Sequence, residues 1–195
     1  MKSLKLRDMI LISIFSALTA IGAFIKFDIG TVPFTMQFAF CAYAGLILGA
    51  KKGFISQIIY VLIGLIGIPI FARGGGITYI FQPTFGYLIG FIVCAFVIGK
   101  LTENINDYYK KSSILKIFLS VLTGLFFVYL FGVSYLYMIF NTYLDKSISI
   151  SKAIAFGFTP YIVSDFTLSV LVTLSSSKVL SALKSKGMIR TSYES

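Results

Sequence analysis

The residue whose chemistry stands out in this sequence is Asp165, which lies in the apolar stretch Pro160-Tyr-Ile-Val-Ser-Asp-Phe-Thr-Leu168. The composition around it predicts a membrane setting, where an ionised side chain costs ~3 kcal/mol on insertion scales. Such an acid commonly faces a cavity or a partner group, so Asp165 is a candidate ligand-binding residue. The alternative is a structural acid that pairs with a neighbouring helix or stays protonated to cap a backbone group.

The rest of the sequence offers little catalytic chemistry. It contains no His, which removes the commonest metal ligand and general base. Cys41 and Cys94 both fall inside apolar blocks, which favours buried packing over a disulfide, a metal pair or a nucleophile. No phosphate-binding loop is present. We therefore expect neither an enzyme nor a nucleotide-driven motor, and no metal site.

Polar and conformationally special residues gather in two further connections. Gln37 begins an apolar block just after Pro33, and Gln82-Pro83-Thr84 precedes another. Between them lies the run Gly74-Gly-Gly76, whose residues tolerate backbone conformations closed to other amino acids. This glycine run is either a mobile lid over a pocket or a plain flexible turn, and the nearby Gln82 and Pro83 favour the lid.

These residues must be positioned by membrane helices. The chain has 195 residues, of which 57% are hydrophobic and 12% charged, far below the charged quarter of a soluble domain. Each of six apolar blocks can supply the ~17–25 residues of a spanning helix. The sequence predicts an all-α polytopic membrane protein, a six-transmembrane-helix bundle forming a single membrane domain over residues 1–195. The predicted helices cover about 9–25, 34–50, 53–71, 79–99, 114–143 and 153–180.

The net charge of +10 is unevenly distributed. Basic residues crowd the termini and the second and fourth connections, and are sparse in the others, a pattern that places both termini in the cytoplasm. The basic surface then faces anionic lipid headgroups or a cytoplasmic partner, which disfavours a nucleic-acid partner. The crowded side holds Lys2, Lys5, Arg7, Lys51, Lys52, Lys100, Lys110, Lys111, Lys178, Lys184, Lys186 and Arg190. The sparse side holds Lys26, Arg73, Lys146 and Lys152.

Two predicted helices carry further patterns. In the first, Ser13 and Ala17, and Ser16 and Ala20, follow small-xxx-small spacing, which serves either packing within the bundle or docking of another membrane protein. The fifth is long, and most of its tyrosines are expected in the interfacial belt of the membrane. Those tyrosines are Tyr129, Tyr135, Tyr137 and Tyr143.

Several segments resemble one family of membrane proteins. They are Val32-Pro-Phe-Thr-Met-Gln37, Ala44-Gly-Leu-Ile-Leu-Gly49, Tyr60 to Ala72, the Gly74–Gly76 run and Pro83-Thr-Phe-Gly-Tyr-Leu-Ile-Gly90-Phe. Together they resemble the biotin-specific substrate-capture subunits (BioY) of energy-coupling-factor (ECF) vitamin transporters. The resemblance covers nearly the whole chain, and the Pro-Thr-x-Gly-Tyr block is its most specific part.

The resemblance implies a cell-membrane S component that captures a vitamin, biotin, from outside and needs no cofactor. It implies as partners a transmembrane coupling subunit and two ATPase subunits. The first helix would dock on the coupling subunit through Ser13, Ala17 and Ala20. The family's acid on the last helix corresponds to Asp165.

With biotin as the ligand, we predict the contacts from the residue types, although Arg73 stands where the family often has a small residue. Asp165 would accept the ureido N–H groups of biotin, while Gln37 and Gln82 would add adaptable polar contacts. Arg73 would meet the ligand carboxylate at the mouth of the pocket. Aromatic contacts would come from Tyr43, Tyr79, Tyr87 and Tyr161.

One departure bears on the ligand. The family commonly has Pro-Gly-Asp with a Lys three residues after the acid, whereas this chain has Val163-Ser-Asp165 and then Leu168. A related cofactor precursor such as lipoate is therefore an alternative ligand. A stand-alone vitamin carrier, a membrane enzyme and a purely structural subunit are the alternative functions.

Overall fold

The computed structural model of the chain describes residues 5–28, 31–105, 110–144 and 146–185. Lys2, Lys186 and Arg190, which entered the charge argument, lie outside the described residues. The helices are α1 (Leu6–Phe24), α2 (Gln37–Leu65), a 3-10 helix (Ile77–Phe81), α3 (Phe85–Thr102), α4 (Lys111–Thr142), α5 (Ile150–Gly157) and α6 (Ile162–Ser185). Two short antiparallel strands, β1 (Lys26–Phe27) and β2 (Phe34–Thr35), link α1 to α2.

Five helices in the described part of the chain are long and apolar enough to cross a membrane, namely α1, α2, α3, α4 and α6. The predicted all-α membrane fold is therefore confirmed at this coarser level. The 29-residue α2 covers most of two predicted helices, 34–50 and 53–71.

The chain reverses direction inside α2, at Gly49. This glycine has φ 75° and ψ 178°, which is not helical. The side-chain amide of Gln37 lies 2.8 Å from the hydroxyl of Tyr60, although 23 residues of straight helix would separate them by ~35 Å. Segments 37–48 and 50–65 are thus two antiparallel arms, and Gly53 of the second arm lies against the backbone of Ala44 in the first.

Two predicted helix boundaries differ from the structure. The helix predicted over 53–71 ends at Leu65, and Gly67, two residues further on, has φ 120°, which a continuing helix does not allow. The helix predicted over 79–99 is split: Tyr79 lies in the 3-10 helix, and α3 begins only at Phe85, two residues after Pro83. Pro lacks the N–H that a continuous helix would need at this position.

The last predicted helix, over 153–180, is also broken. It is divided into α5 and α6 by a turn that contains Pro160. Asp165 consequently lies in the first turn of α6 and not in the middle of a long helix. A carboxylate in this position is stabilised by the partial positive charge of the helix N-terminus.

The bundle is built around α3, which packs between α2 and α4. Glycines bring the backbones close: Gly45 of α2 faces Ala95 of α3, and Gly90 of α3 faces Val128 of α4. Close backbone approach strengthens the van der Waals packing on which helix association in lipid depends. The connections around β1, β2 and the 3-10 helix gather at one end, called here the cavity end.

Candidate functional site

A cavity of ≈ 580 Å³, counting its open mouth, lies at the cavity end between α2, α3, α4 and α6. Much of its wall is apolar, with Phe34, Phe38, Leu88, Phe91 and Val128. The polar groups that line it are those of Thr35, Gln37, Tyr79, Thr84, Tyr87, Tyr129, Tyr161 and Asp165.

The acid of the cavity is paired with a phenol. The hydroxyl of Tyr129, on α4, donates a hydrogen bond to the carboxylate of Asp165. The ring of Tyr129 is fixed in turn by an edge-on contact with Phe158, with ring centroids 4.8 Å apart. An ionised carboxylate has about four acceptor positions, so Asp165 can accept N–H donors from a ligand in addition to this phenol.

The amide of Gln37 is held in one orientation. It is 3% exposed, its Nε2 donates to the Tyr60 hydroxyl at 2.8 Å, and its Oε1 accepts from the Thr35 hydroxyl at 3.0 Å. The Tyr60 hydroxyl donates onward to the carbonyl of Ile70 at 3.1 Å. This chain of bonds places a fixed polar group of α2 in the cavity wall.

The tyrosines of the cavity tie its elements together. Tyr87 donates to the carbonyl of Gly157 at 2.8 Å, and Tyr161 donates to the carbonyl of Val32. Tyr79 accepts from Thr84 at 3.1 Å. Burial raises the pKa of Tyr79 and of Tyr161, so both phenols stay neutral near pH 7.

The glycine run is anchored to α2. Gly76 N–H donates to the carbonyl of Gly64 at 2.7 Å, and Gly74 and Gly76 have φ of 109° and 102°. Phe71, 1% exposed, packs between the rings of Tyr60 and Tyr79. The glycine run is therefore held by the Gly76 hydrogen bond on one side and by the packing of Phe71 on the other. Its movement as a lid stays a prediction.

The strand pair β1–β2 closes the cavity from the other side. Val32, Pro33, Phe34 and Thr35 line the cavity from this connection. The Lys26 ammonium donates to the carbonyl of Ala72 at 2.6 Å and so joins the first connection to the glycine segment.

A second concavity of ≈ 990 Å³, open to solvent, adjoins the cavity and is called here the vestibule. Arg73 and Gln82 line it, together with Thr31 and Thr78. The stacked rings of Phe81 and Tyr143, whose centroids lie 4.6 Å apart, form its apolar side.

The structure brings most of the predicted ligand residues together. Five line the cavity: Gln37, Tyr79, Tyr87, Tyr161 and Asp165. Arg73 and Gln82 lie in the vestibule. Tyr43 lines neither space, because its hydroxyl is bonded to Ser175 of α6.

Tyr129 is a site residue that we placed in the interfacial belt from the sequence. It is 8% exposed, lines the cavity and contacts Asp165. The position of Tyr129 along its helix could have shown this from the sequence. Tyr129 precedes Tyr137 by eight residues, or ~12 Å of helix, and so lies too deep in the membrane for the headgroup region. Tyr135 also departs from a simple belt role, since it donates to the carbonyl of Ile80 at 2.6 Å.

The small residues of α1 divide between the two interpretations given by their spacing. Ser16 is buried in the bundle, as expected for internal packing, and Ala20 is half-buried against the core. Ser13 and Ala17 lie on the exposed face of α1, where they are available to another membrane protein.

Both the sequence and the fold of this chain are similar to those of described proteins. The model of the BioY family matches residues 1–185. A probable biotin transporter BioY of Lysinibacillus sphaericus is 42% identical over 94% of this chain and 91% of its own, and the biotin transporter BioY of Thermotoga maritima is 39% identical over 87% and 93%. The crystal structure of the S-component for biotin from an ECF-type ABC transporter superposes with a TM-score of 0.74 at 22% identity, covering 92% of this chain and 95% of that one.

Proposed function

This chain belongs to the BioY family, and on that premise we propose that it captures biotin from outside the cell for uptake. It is a multi-pass membrane protein of a transporter family, and the expectation that it is not an enzyme agrees with that family. The observation that carries the proposal is the Asp165 carboxylate, set with Tyr129 in the wall of a largely aromatic cavity.

The orientation follows from charge. We place both termini in the cytoplasm and the cavity outside, with six crossings when the two arms of α2 are counted separately and one membrane domain over residues 1–195. Lys52, three residues after the Gly49 reversal, forms a 2.7 Å ion pair with Asp8 near the start of α1. The basic residues of the second connection and of α1 therefore share one end of the bundle, opposite the cavity, as the positive-inside rule expects.

In the cavity, the ureido N–H groups of biotin would donate to Asp165, and the bicyclic ring would lie against aromatic side chains such as Phe91 and Tyr87. Gln37 would add an oriented polar contact. A charge-assisted hydrogen bond of this kind contributes ~1.5–3 kcal/mol.

The ligand carboxylate needs a cation, and Leu168 does not supply one. Leu168 is 7% exposed and packs in the apolar core, away from the cavity lining. Arg73 at the mouth is the cation that we assign to the carboxylate, with Gln82 beside it.

Uptake would require partners. The solved structure with this fold is described as the S-component of an ECF-type ABC transporter, which supports a transmembrane coupling subunit and two ATPase subunits as partners. The exposed positions Ser13 and Ala17 of α1, flanked by Ala20, would form the docking face.

The test is equilibrium binding of biotin and lipoate to the purified chain in detergent, beside Asp165→Asn. We expect tight biotin binding that weakens ~10–100-fold in Asp165→Asn, since one hydrogen bond to a charged group is lost. Tyr43→Phe is the matched control, because Tyr43 lies outside the cavity. If lipoate binds more tightly than biotin, lipoate becomes the proposed ligand. Vitamin flux into vesicles that lack any ATPase would favour a stand-alone carrier.

A further inference from the structure

The vestibule holds the only cationic side chain among the described residues that line either concavity, and its position suggests a role of its own. Resting on the proposed function, we propose that the vestibule is an outer subsite that captures the carboxylate of an incoming free acid before the ring enters the cavity. The subsite would thereby set the association rate and select carboxylates over neutral analogues.

The vestibule and the cavity share walls. At four places one residue lines the vestibule and its chain neighbour lines the cavity. The two spaces therefore adjoin each other, as the outer and inner subsites of one ligand path would. The pairs are Thr31 and Val32, Arg73 and Ala72, Thr78 and Tyr79, and Pro83 and Thr84.

The side chains that line the vestibule suit an acid with an apolar chain. Arg73 offers a planar set of N–H donors suited to a carboxylate, with the Gln82 amide and the Thr78 hydroxyl in the same concavity. The stacked Phe81 and Tyr143 rings provide an apolar surface for the acyl chain. An amphipathic acid, with one anionic and one apolar end, matches this combination.

The charge of Arg73 in the vestibule also acts on side chains of the cavity. Burial raises the pKa of Tyr79 and of Tyr161, and the charge of Arg73 acts on both phenols in the opposite sense, so Arg73 lies within electrostatic reach of the cavity. Lys26 brings a second cation to the same wall through its bond to Ala72. Two acids, Asp165 and Asp28, act on Tyr161 in the sense opposite to Arg73, so the pull on an anion comes from the position of Arg73 in the vestibule and not from an excess of positive charge.

The experiment measures association and dissociation of biotin by stopped flow at low and high salt, with biotin methyl ester as the neutral probe. We expect Arg73→Gln to slow biotin association ~10-fold at low salt. Dissociation should also become faster, because Arg73 is assigned to the carboxylate of bound biotin, so the association rate is the readout of the outer subsite. Arg73→Lys should keep most of the association rate because it keeps the charge. The methyl ester should associate with parent and Arg73→Gln at equal rates.

Lys152→Gln is the matched control, since Lys152 is an exposed cation at the same end that lines neither space. If Arg73→Gln fails to fold, the salt dependence of the parent serves instead: biotin association must slow with salt and ester association must not. Unchanged association in Arg73→Gln, or equal salt dependence of acid and ester, overturns the outer subsite. Equilibrium biotin binding that still depends on Asp165 would leave the proposed function standing in that case.

Discussion

The phenol of Tyr129 on α4 donates its hydrogen bond to the carboxylate of Asp165 on α6, 36 residues further along the chain. The bond joins two helices within the wall of the cavity and fixes the direction in which the carboxylate faces. Tyr129 is accordingly a positioning residue for the proposed ligand acid.

Removing this phenol should weaken binding without abolishing it. We expect Tyr129→Phe to lower biotin affinity ~3–10-fold, about the effect of one lost hydrogen bond and less than that of Asp165→Asn. Titration calorimetry in detergent measures it. Tyr135→Phe is the control, since Tyr135 is on the same helix and bonds the carbonyl of Ile80 outside the cavity. Tighter binding in Tyr129→Phe would show that the phenol competes with the ligand.

The bond between Lys26 and the Ala72 carbonyl should slow escape of the ligand. It joins the two connections that cover the cavity, so we expect Lys26→Met, which retains the aliphatic stem, to raise the dissociation rate ~3–10-fold. Release of labelled biotin into excess unlabelled biotin measures this rate. Lys146→Met changes an exposed lysine in another connection and should leave release unaltered. An unchanged rate in Lys26→Met would mean that this bond does not hold the two connections over the cavity.

Any side chain introduced at Gly49 should destabilise the protein. Its φ of 75° with ψ of 178° lies in a backbone region occupied essentially by glycine alone, where other residues cost ~1–3 kcal/mol. A Cβ there would meet nothing within 4 Å, so the loss would come from the backbone and not from a clash. We expect both Gly49→Ala and Gly49→Asn to lower the melting temperature in detergent. Lys51→Ala, at an exposed neighbouring position, should not, and equal stability of all three variants would contradict the strain argument.

Docking through α1 should be separable from binding. Ala17 is exposed, so Ala17→Leu meets no part of this chain, and we expect unchanged biotin affinity and melting temperature. Uptake by cells that also express the coupling and ATPase subunits should fall at least tenfold, together with co-purification of those subunits. Ile14→Leu, at another exposed position of α1, is the control. Normal uptake with Ala17→Leu would move the docking face elsewhere.

The sequence predicted the helices well and their ends less well. Hydrophobic length identified the membrane segments, because each apolar block must be buried in lipid or protein. The end of α2 was displaced because Gly67 takes a positive φ. The start of α3 was displaced by Pro83, and a third helix was broken near Pro160, because proline removes a backbone donor. The sequence did not show that the chain reverses at Gly49, since the φ and ψ of this residue depend on the packing of both arms of α2.

The sequence predicted which residue types would form the site better than it predicted which side chains would contact each other. Asp165 stood out because an isolated acid is costly in an apolar stretch. Its partner Tyr129 did not, because the contact crosses between two helices and local spacing carries no trace of it. Tyr43 was expected at the ligand for its chemistry, yet the rotation of the first arm of α2 directs its hydroxyl to Ser175.

The hairpin of α2 has a consequence for the surrounding lipid. Segments 37–48 and 50–65 span ~18 Å and ~24 Å at 1.5 Å per residue, whereas a typical hydrocarbon core is ~30 Å thick. Hydrophobic mismatch of this size is accommodated by local thinning of the bilayer, by snorkelling of flanking side chains or by association with other helices, at a cost that grows with each ångström of added thickness. Acyl-chain length is therefore a variable that acts on this protein through α2, independently of any ligand or partner.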